Sequence, residues 1–292
     1  ISSSPSDLLF NQQLYFGHYM IGFIGIPNIN YYYVFLFFVY VVSVLGNMTV
    51  MAIIYLDYNL RTPKYVTVFN LAFVDLVGSS ALVPKVIDIF LFNHPSIPYS
   101  DCLAFMFFCY TCLLMQSFNL VALSYDRLVA IIFPLHYQVK VTHRFMFSLI
   151  ASFWVIVIIA HLITVGYITR LSFCESVVIN SYFCDHGQMY RLACNDNTPS
   201  LVMAKLLPIL ALWLPLAFIL LSYFYIAHLS LVTIYFIPIL VTFTMNANIH
   251  PNARIINLSL TSVFPPMLNP IIYVLQTQEI KMWFIDMFWY KM

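Results

Sequence analysis

Charge is scarce in this sequence. Of its 292 residues only 8% are Asp, Glu, Lys or Arg, against about 25% in soluble domains. In their place stand 62% hydrophobic and 18% aromatic residues. A water-soluble globule has too little interior to hide that much apolar side chain, so lipid is the expected solvent. There is no Gly-rich phosphate loop. No Cys and His stand at metal-ligand spacing, and no Ser, His and Asp fall in an order that suggests a triad. We therefore expect no enzyme activity and no cofactor. The net charge of +1 gives no reason to expect a nucleic-acid partner. Ile1 to Met20 lacks a basic start followed by an apolar core, so no cleavable signal peptide is expected. The chain opens on Ile1 rather than Met, and residues are expected to precede it.

A spanning helix needs about 20 mostly apolar residues. Seven stretches qualify: Tyr31 to Leu56, Tyr65 to Phe92, Cys102 to Phe133, Phe145 to Thr169, Leu201 to about Ile226, about His228 to Asn246, and Ala253 to Gln276. Turn and charge signals such as "DYNLRTPK", "NHPSIPYSD" and "NANIHPNA" separate them. The expectation is an all-α membrane protein, one domain over 1–292. Residues 1–30 precede the first span. Residues 277–292, aromatic with interspersed charge, read as a helix lying at the interface. Arg61, Lys64, Arg127, Lys140, Arg144, Lys281 and Lys291 fall on one side. Counted by the positive-inside rule they favour an outer N-terminus and an inner C-terminus.

From Leu206 to Ala253 no Asp, Glu, Lys or Arg occurs. Spans five and six meet there without an inner loop. Either the two form a tight hairpin, or a basic segment is missing between Ile226 and Ala227; the second is the preferred expectation. Cys102, Cys174, Cys184 and Cys194 fall on the outer side, where disulfides persist. Of three pairings we expect Cys102–Cys184, tying the long outer loop to span three, and Cys174–Cys194, compacting that loop. Cys109 and Cys112 lie inside span three and read as buried thiols.

Ionisable and amide side chains inside spans are costly, so each suggests a site. Asn47, Asp75, Gln116 and Asn269 lie on four spans. They either form one polar cluster holding water or a cation such as Na⁺, or act as separate interhelical hydrogen bonds. Pro270, beside Asn269, removes a backbone donor and permits a kink. Asp126 and Arg127 lie 24 residues beyond Cys102, roughly 36 Å down a helix and so at the inner boundary. An Arg held by a carboxylate in one state and released in another is a switch element; otherwise the two are an ordinary interfacial pair. Met106, Cys109, Tyr110 and Leu113 share one helix face by i, i+3, i+4, i+7 spacing. They either pack between helices or line a mostly apolar ligand site, with Leu207, Ala211, Phe236, Ile239, Leu240, Phe243, Ser259 and Ser262 opposite and Gln188 reaching in from the loop. His161 reads as structural, as do Lys85 and Asp88, an i, i+3 pair. The Asn47 and Asn257 glycosylation patterns lie in spans and should be unmodified.

"LGN" in span one, "NLAFVD" in span two, "YDR" ending span three, Trp154 in span four and "NPIIY" in span seven resemble the rhodopsin-like G-protein-coupled receptors. "LRTPKY", "SYDRLVAIIFPLHY", "FCDH" and "PPMLNPIIYVLQTQEIK" resemble, more narrowly, vertebrate odorant receptors. "GIPN" is similar to the fish-like branch. The resemblance implies a seven-helix bundle in the plasma membrane that binds a small odorant in its outer half and activates a stimulatory, olfactory-type heterotrimeric G protein. It implies that Arg127 leaves Asp126 on activation, with Tyr223 and Tyr273 in support. The sequence departs from the family at Lys64, Leu128 and Gln116. Outside this resemblance, a small transporter or channel would use Asp75 as an ion site, but no internal repeat is visible. A rhodopsin-like receptor for another ligand class is the nearer alternative. The absence of a basic residue in "VTFTMNAN" of span six points to a neutral, mostly apolar ligand.

Overall fold

The structure is a computed structural model, and it describes residues 18–21, 28–173, 178–179, 181, 183–226, 256 and 266–269. The side chains of His18 and of residues 223–226 are outside that description. Among the described residues, five helices are long and apolar enough to cross a membrane. Helix α1 is Asn30–Leu56, α2 is Pro63–Phe90, α3 is Tyr99–Ile132 and α4 is His143–Ile168. Helix α5 runs Thr198–Pro208, passes through a π-helical turn at Ile209–Trp213, and continues as Leu214–Ile226. The expected spans six and seven lie largely outside the described residues. So do the interfacial helix over 277–292 and the junction after Ile226.

The helix ends follow from local chemistry. Pro63 opens α2 where its missing N–H costs nothing, behind an extended Thr62. Thr142 caps α4 by accepting from the Phe145 N–H at 3.2 Å. Asp101 in the first turn of α3 complements the positive end of that helix. Helix α1 stops at Asp57, whose carboxylate accepts from the Asn59 N–H at 2.9 Å and turns the chain.

Helix α3 is the axis of the described bundle, packing against α2, α4 and α5. Helices α1 and α4 turn broad apolar faces outward, with Phe38, Leu45, Ile156 and Leu162 exposed. In lipid those faces lose nothing by exposure, so association rests on close packing and interhelical hydrogen bonds. Gly78 shows the packing term. A Cβ there would lie 2.9 Å from the Cys112 Cβ, so glycine is what lets α2 and α3 approach.

The π-turn in α5 has an identifiable setting. It sits between Pro208 and Pro215, and the Leu214 N–H reaches back to the Ile209 carbonyl. Pro215 has no N–H to give the Ala211 carbonyl. Ser117 of α3 donates to that carbonyl instead, at 3.1 Å.

On the side of the helix ends Phe90 and Tyr99, three short strands form a sheet in the order β2-β1-β3. Strand β1 (His18–Met20) is the middle one. It pairs antiparallel with β2 (Ser96–Ile97) and parallel with β3 (Val178–Ile179). Met20, Ile97 and Ile179 are all buried, and they join the outer apolar core with Tyr33, Val86 and Phe105.

Candidate functional site

Three polar constellations stand along α3. The outermost begins at the disulfide between Cys102 and Cys184, both fully buried, which fixes the long loop to the top of the helix. Cys194 is also disulfide-bonded; Cys174 lies outside the described residues. Directly after Cys184, the Asp185 carboxylate accepts from the Tyr110 hydroxyl and from the Gly187 N–H at 3.1 Å. The Tyr110 ring stacks on His161 at 6.1 Å and meets Phe183 edge-on at 5.4 Å. His161 Nδ1 lies 3.3 Å from Thr111 Oγ1. The neighbouring loop residue His186 is buried, and burial lowers its pKa to about 4, with His161 acting in the same direction. Its Nε2 has no hydrogen-bond partner.

Of the residues expected to line a ligand site, Tyr110 belongs to this constellation, while Ala211 lies deeper, against Ser117. Met106 and Cys109 are buried in the outer apolar core. Tyr110 and Leu113 are half-buried on α3, as are Leu207 and Ala211 on α5 and Gln188 in the loop. Phe236, Ile239, Leu240, Phe243, Ser259 and Ser262 lie outside the described residues.

The middle constellation is buried at mid-helix. Asp75 Oδ1 accepts from Gln116 Nε2 at 2.7 Å and Asp75 Oδ2 from Asn269 Nδ2 at 2.6 Å. Asn47 does not touch Asp75 directly. Its Nδ2 donates to the Pro266 carbonyl at 2.8 Å and the Ser43 carbonyl at 2.9 Å, holding the segment that carries Asn269. Two buried acceptors, Gln116 Oε1 and Asn47 Oδ1, have no hydrogen-bond partner. Oxygen acceptors beside a carboxylate are the donor set a hard cation or a water requires. A second network lies nearby, unforeseen from sequence. Trp154 Nε1 donates to Asn70 Oδ1 at 3.0 Å, and Asn70 Nδ2 donates to Asn119 Oδ1 at 2.8 Å, joining α4, α2 and α3. The same cost of burying amides in lipid could have flagged Asn70 and Asn119.

The inner constellation is Asp126. It is buried, and its Oδ1 accepts from the Tyr137 hydroxyl at 2.6 Å. Tyr137 stands in the loop that Pro134 turns back under the bundle. Burial, then the Asp126 carboxylate, push the Tyr137 phenol well above its ordinary range. Arg127 and Lys64 act on Asp126 through charge, while the hydrogen bond comes from a residue the sequence reading had not singled out. The side chain of Tyr223, Pro270 and Tyr273 are outside the described residues.

A profile described as olfactory receptor matches residues 36–234. The chain belongs to the olfactory receptor family. Among its relatives, olfactory receptor 1E16 of Mus musculus is 34% identical over 272 residues, covering 86% of this chain and 87% of the relative. Olfactory receptor 1 of Rattus norvegicus is 34% identical over 264 residues, 83% and 84% of the two chains. Olfactory receptor 1496 of Rattus norvegicus is 30% identical over 295 residues, 93% and 95%. This odorant receptor is thus a multi-pass membrane protein of the seven-helix, G-protein-coupled class, and not an enzyme.

Proposed function

We propose that this receptor takes a small, neutral, mostly apolar odorant in the outer half of the bundle. The site would lie beneath the loop tied by Cys102–Cys184, against the face carrying Met106, Cys109, Tyr110 and Leu113. The observation that carries the reading is Lys205. A buried carboxylate ligand needs a cationic partner. Lys205, at the outer start of α5, is exposed rather than turned into the bundle, and Val241 to Asn248 holds no basic residue. A paired screen of carboxylic acids against the matching alcohols, aldehydes and esters tests this. Neutral ligands are expected to win. Acids winning, with Lys205→Ala removing the preference, would make Lys205 the anchor and end the proposal.

The receptor sits in the plasma membrane with its N-terminus outside. Support comes from Arg61, Lys64, Lys140 and Arg144 at the ends of α1 to α4 opposite the disulfide. Odorant binding shifts helices five to seven, Arg127 turns from Asp126 into the inner cavity, and a stimulatory, olfactory-type G protein engages there. A basic inner segment belongs between Ile226 and Ala227, and the intact mass of the expressed protein tests for it. Asp75 holds a cation such as Na⁺ in the inactive state, with Gln116 Oε1 as a further oxygen.

A further inference from the structure

We propose that Arg61 and Arg144, brought together by His143, hold the phosphate headgroup of an anionic phospholipid, whose acyl chains lie along Phe147 and Leu56. Arg61 follows α1 by a short turn, and His143 and Arg144 open α4. Sequence separates them by 82 residues, yet His143 Nε2 donates to the Arg61 carbonyl at 2.7 Å. A carbonyl can only accept, so this bond also fixes Nε2 as the protonated ring nitrogen. The contact draws two arginines and a histidine from different inner segments to one edge of the bundle.

The electrostatics of that edge are unfinished. Arg144 stands in the first turn of α4, where the helix already carries about half a positive charge. A cation belongs at the other end of a helix, and here it adds to a positive field. Among the described residues the ion pairs are Lys85–Asp88 and His94–Asp88, both at the opposite side of the membrane. Arg61 and Arg144 have no carboxylate partner there. The two acids described on the inner side are committed elsewhere: Asp57 caps its own turn and Asp126 accepts from Tyr137. The Arg61 guanidinium lies over the Tyr58 ring at 3.8 Å, which orders it without neutralising it.

An anion at this edge removes the repulsion, and the surroundings say what the anion is attached to. Phe147, one turn into the membrane from His143 and Arg144, is 69% exposed, and Leu56 is 64% exposed. Cations at the helix ends, with exposed apolar side chains within a turn or two along α1 and α4, match a phosphate carrying acyl chains. A soluble phosphate would use only the first half of that surface. Which leaflet supplies the lipid follows from the orientation proposed above. The binding itself does not, so symmetric bilayers separate the two questions.

The test uses the full chain in nanodiscs made from equal parts of phosphatidylcholine, phosphatidylserine and phosphatidylinositol bisphosphate. Lipids retained on release are counted by native mass spectrometry. Wild type is expected to retain anionic lipid over phosphatidylcholine, and to lose the preference as salt rises. One cation near an anionic surface is worth roughly fivefold, so Arg61→Gln with Arg144→Gln should reduce the preference by about 25-fold. Arg61→Lys with Arg144→Lys should keep most of it. Arg170→Gln with Arg191→Gln, on the opposite side, should leave it unchanged. Soluble inositol phosphate should compete weakly; equal competition would mean that a free phosphate is the occupant. Equal retention of all three lipids by wild type overturns the proposal, as does a preference that survives the double Gln variant. If that variant does not fold, the salt dependence of the wild-type preference decides.

Discussion

Tyr110 of helix α3 donates its hydroxyl to Asp185 of the long outer loop, 75 residues away. The loop is therefore held twice on α3: covalently at Cys102 and by a charge-assisted hydrogen bond two turns further in. Tyr110→Phe removes the donor and leaves a buried carboxylate one partner short. Such a loss costs about 1–3 kcal/mol. The expected outcome is a lower unfolding temperature in detergent and a weaker odorant response, with the disulfide intact on peptide mapping.

The same loop should weaken in acid. The exposed imidazole of an unfolded loop protonates near pH 6.5, while buried His186 takes no proton until about 4. Between those values the unfolded loop binds more protons, so the folded loop loses stability as pH falls from 6.5 towards 4. Hydrogen-exchange protection factors across residues 183–194, with the intrinsic pH dependence of exchange divided out, should fall between pH 7 and pH 5. His186→Asn should flatten that response.

At the inner end, Arg127→Ala should abolish odorant-driven nucleotide exchange while changing odorant affinity by less than about tenfold, or 1.4 kcal/mol. Exchange at normal amplitude would reduce Arg127 to a surface charge. Tyr137→Phe removes the hydrogen bond that holds Asp126 and should raise ligand-free exchange. No change in basal exchange would mean that Tyr137 only packs the loop.

Gly78→Ala places a methyl group 2.9 Å from the Cys112 Cβ. Neither atom is the flexible end of a side chain, so α2 and α3 must separate. Overpacking of this kind costs about 1–3 kcal/mol. The Asp75–Gln116 hydrogen bond, one turn away, should lengthen with it. A thermal-shift assay that finds Gly78→Ala as stable as wild type would contradict the close approach.

Non-reducing peptide mapping should recover Cys102 with Cys184 and Cys174 with Cys194. A Cys174–Cys184 peptide would contradict both pairings.

The spans were legible because a run of apolar residues long enough to cross lipid has few other uses. Their ends moved by at most three residues. Helix α3 begins at Tyr99 rather than Cys102, since Pro98 supplies an extended entry and Asp101 favours the first turn. Helix α2 ends at Phe90 rather than Phe92, as Asn93 takes a left-handed backbone, φ 60°. Asp75, Gln116 and Asn269 could be grouped before any coordinates because a carboxylate in hydrocarbon must find partners. Asn47 was placed one step too close: it holds Pro266 and acts through the backbone. The partners of Tyr110 and Asp126 were not legible. Each lies in a loop, where no periodicity reports what folds back onto a helix. The helix face that carries Tyr110 was legible from its spacing; that its hydroxyl goes to Asp185 was not.

Strand β1 carries a practical consequence for anyone handling the protein. Among the described residues it is the one rung between β2 and β3, which pair with it and not with each other. An epitope tag or fluorescent reporter joined ahead of His18 hangs from the end of that rung and leaves it whole. A cut made after Met20 takes the rung away, and the pairing of both loops in the sheet goes with it, leaving the longer one to its disulfide.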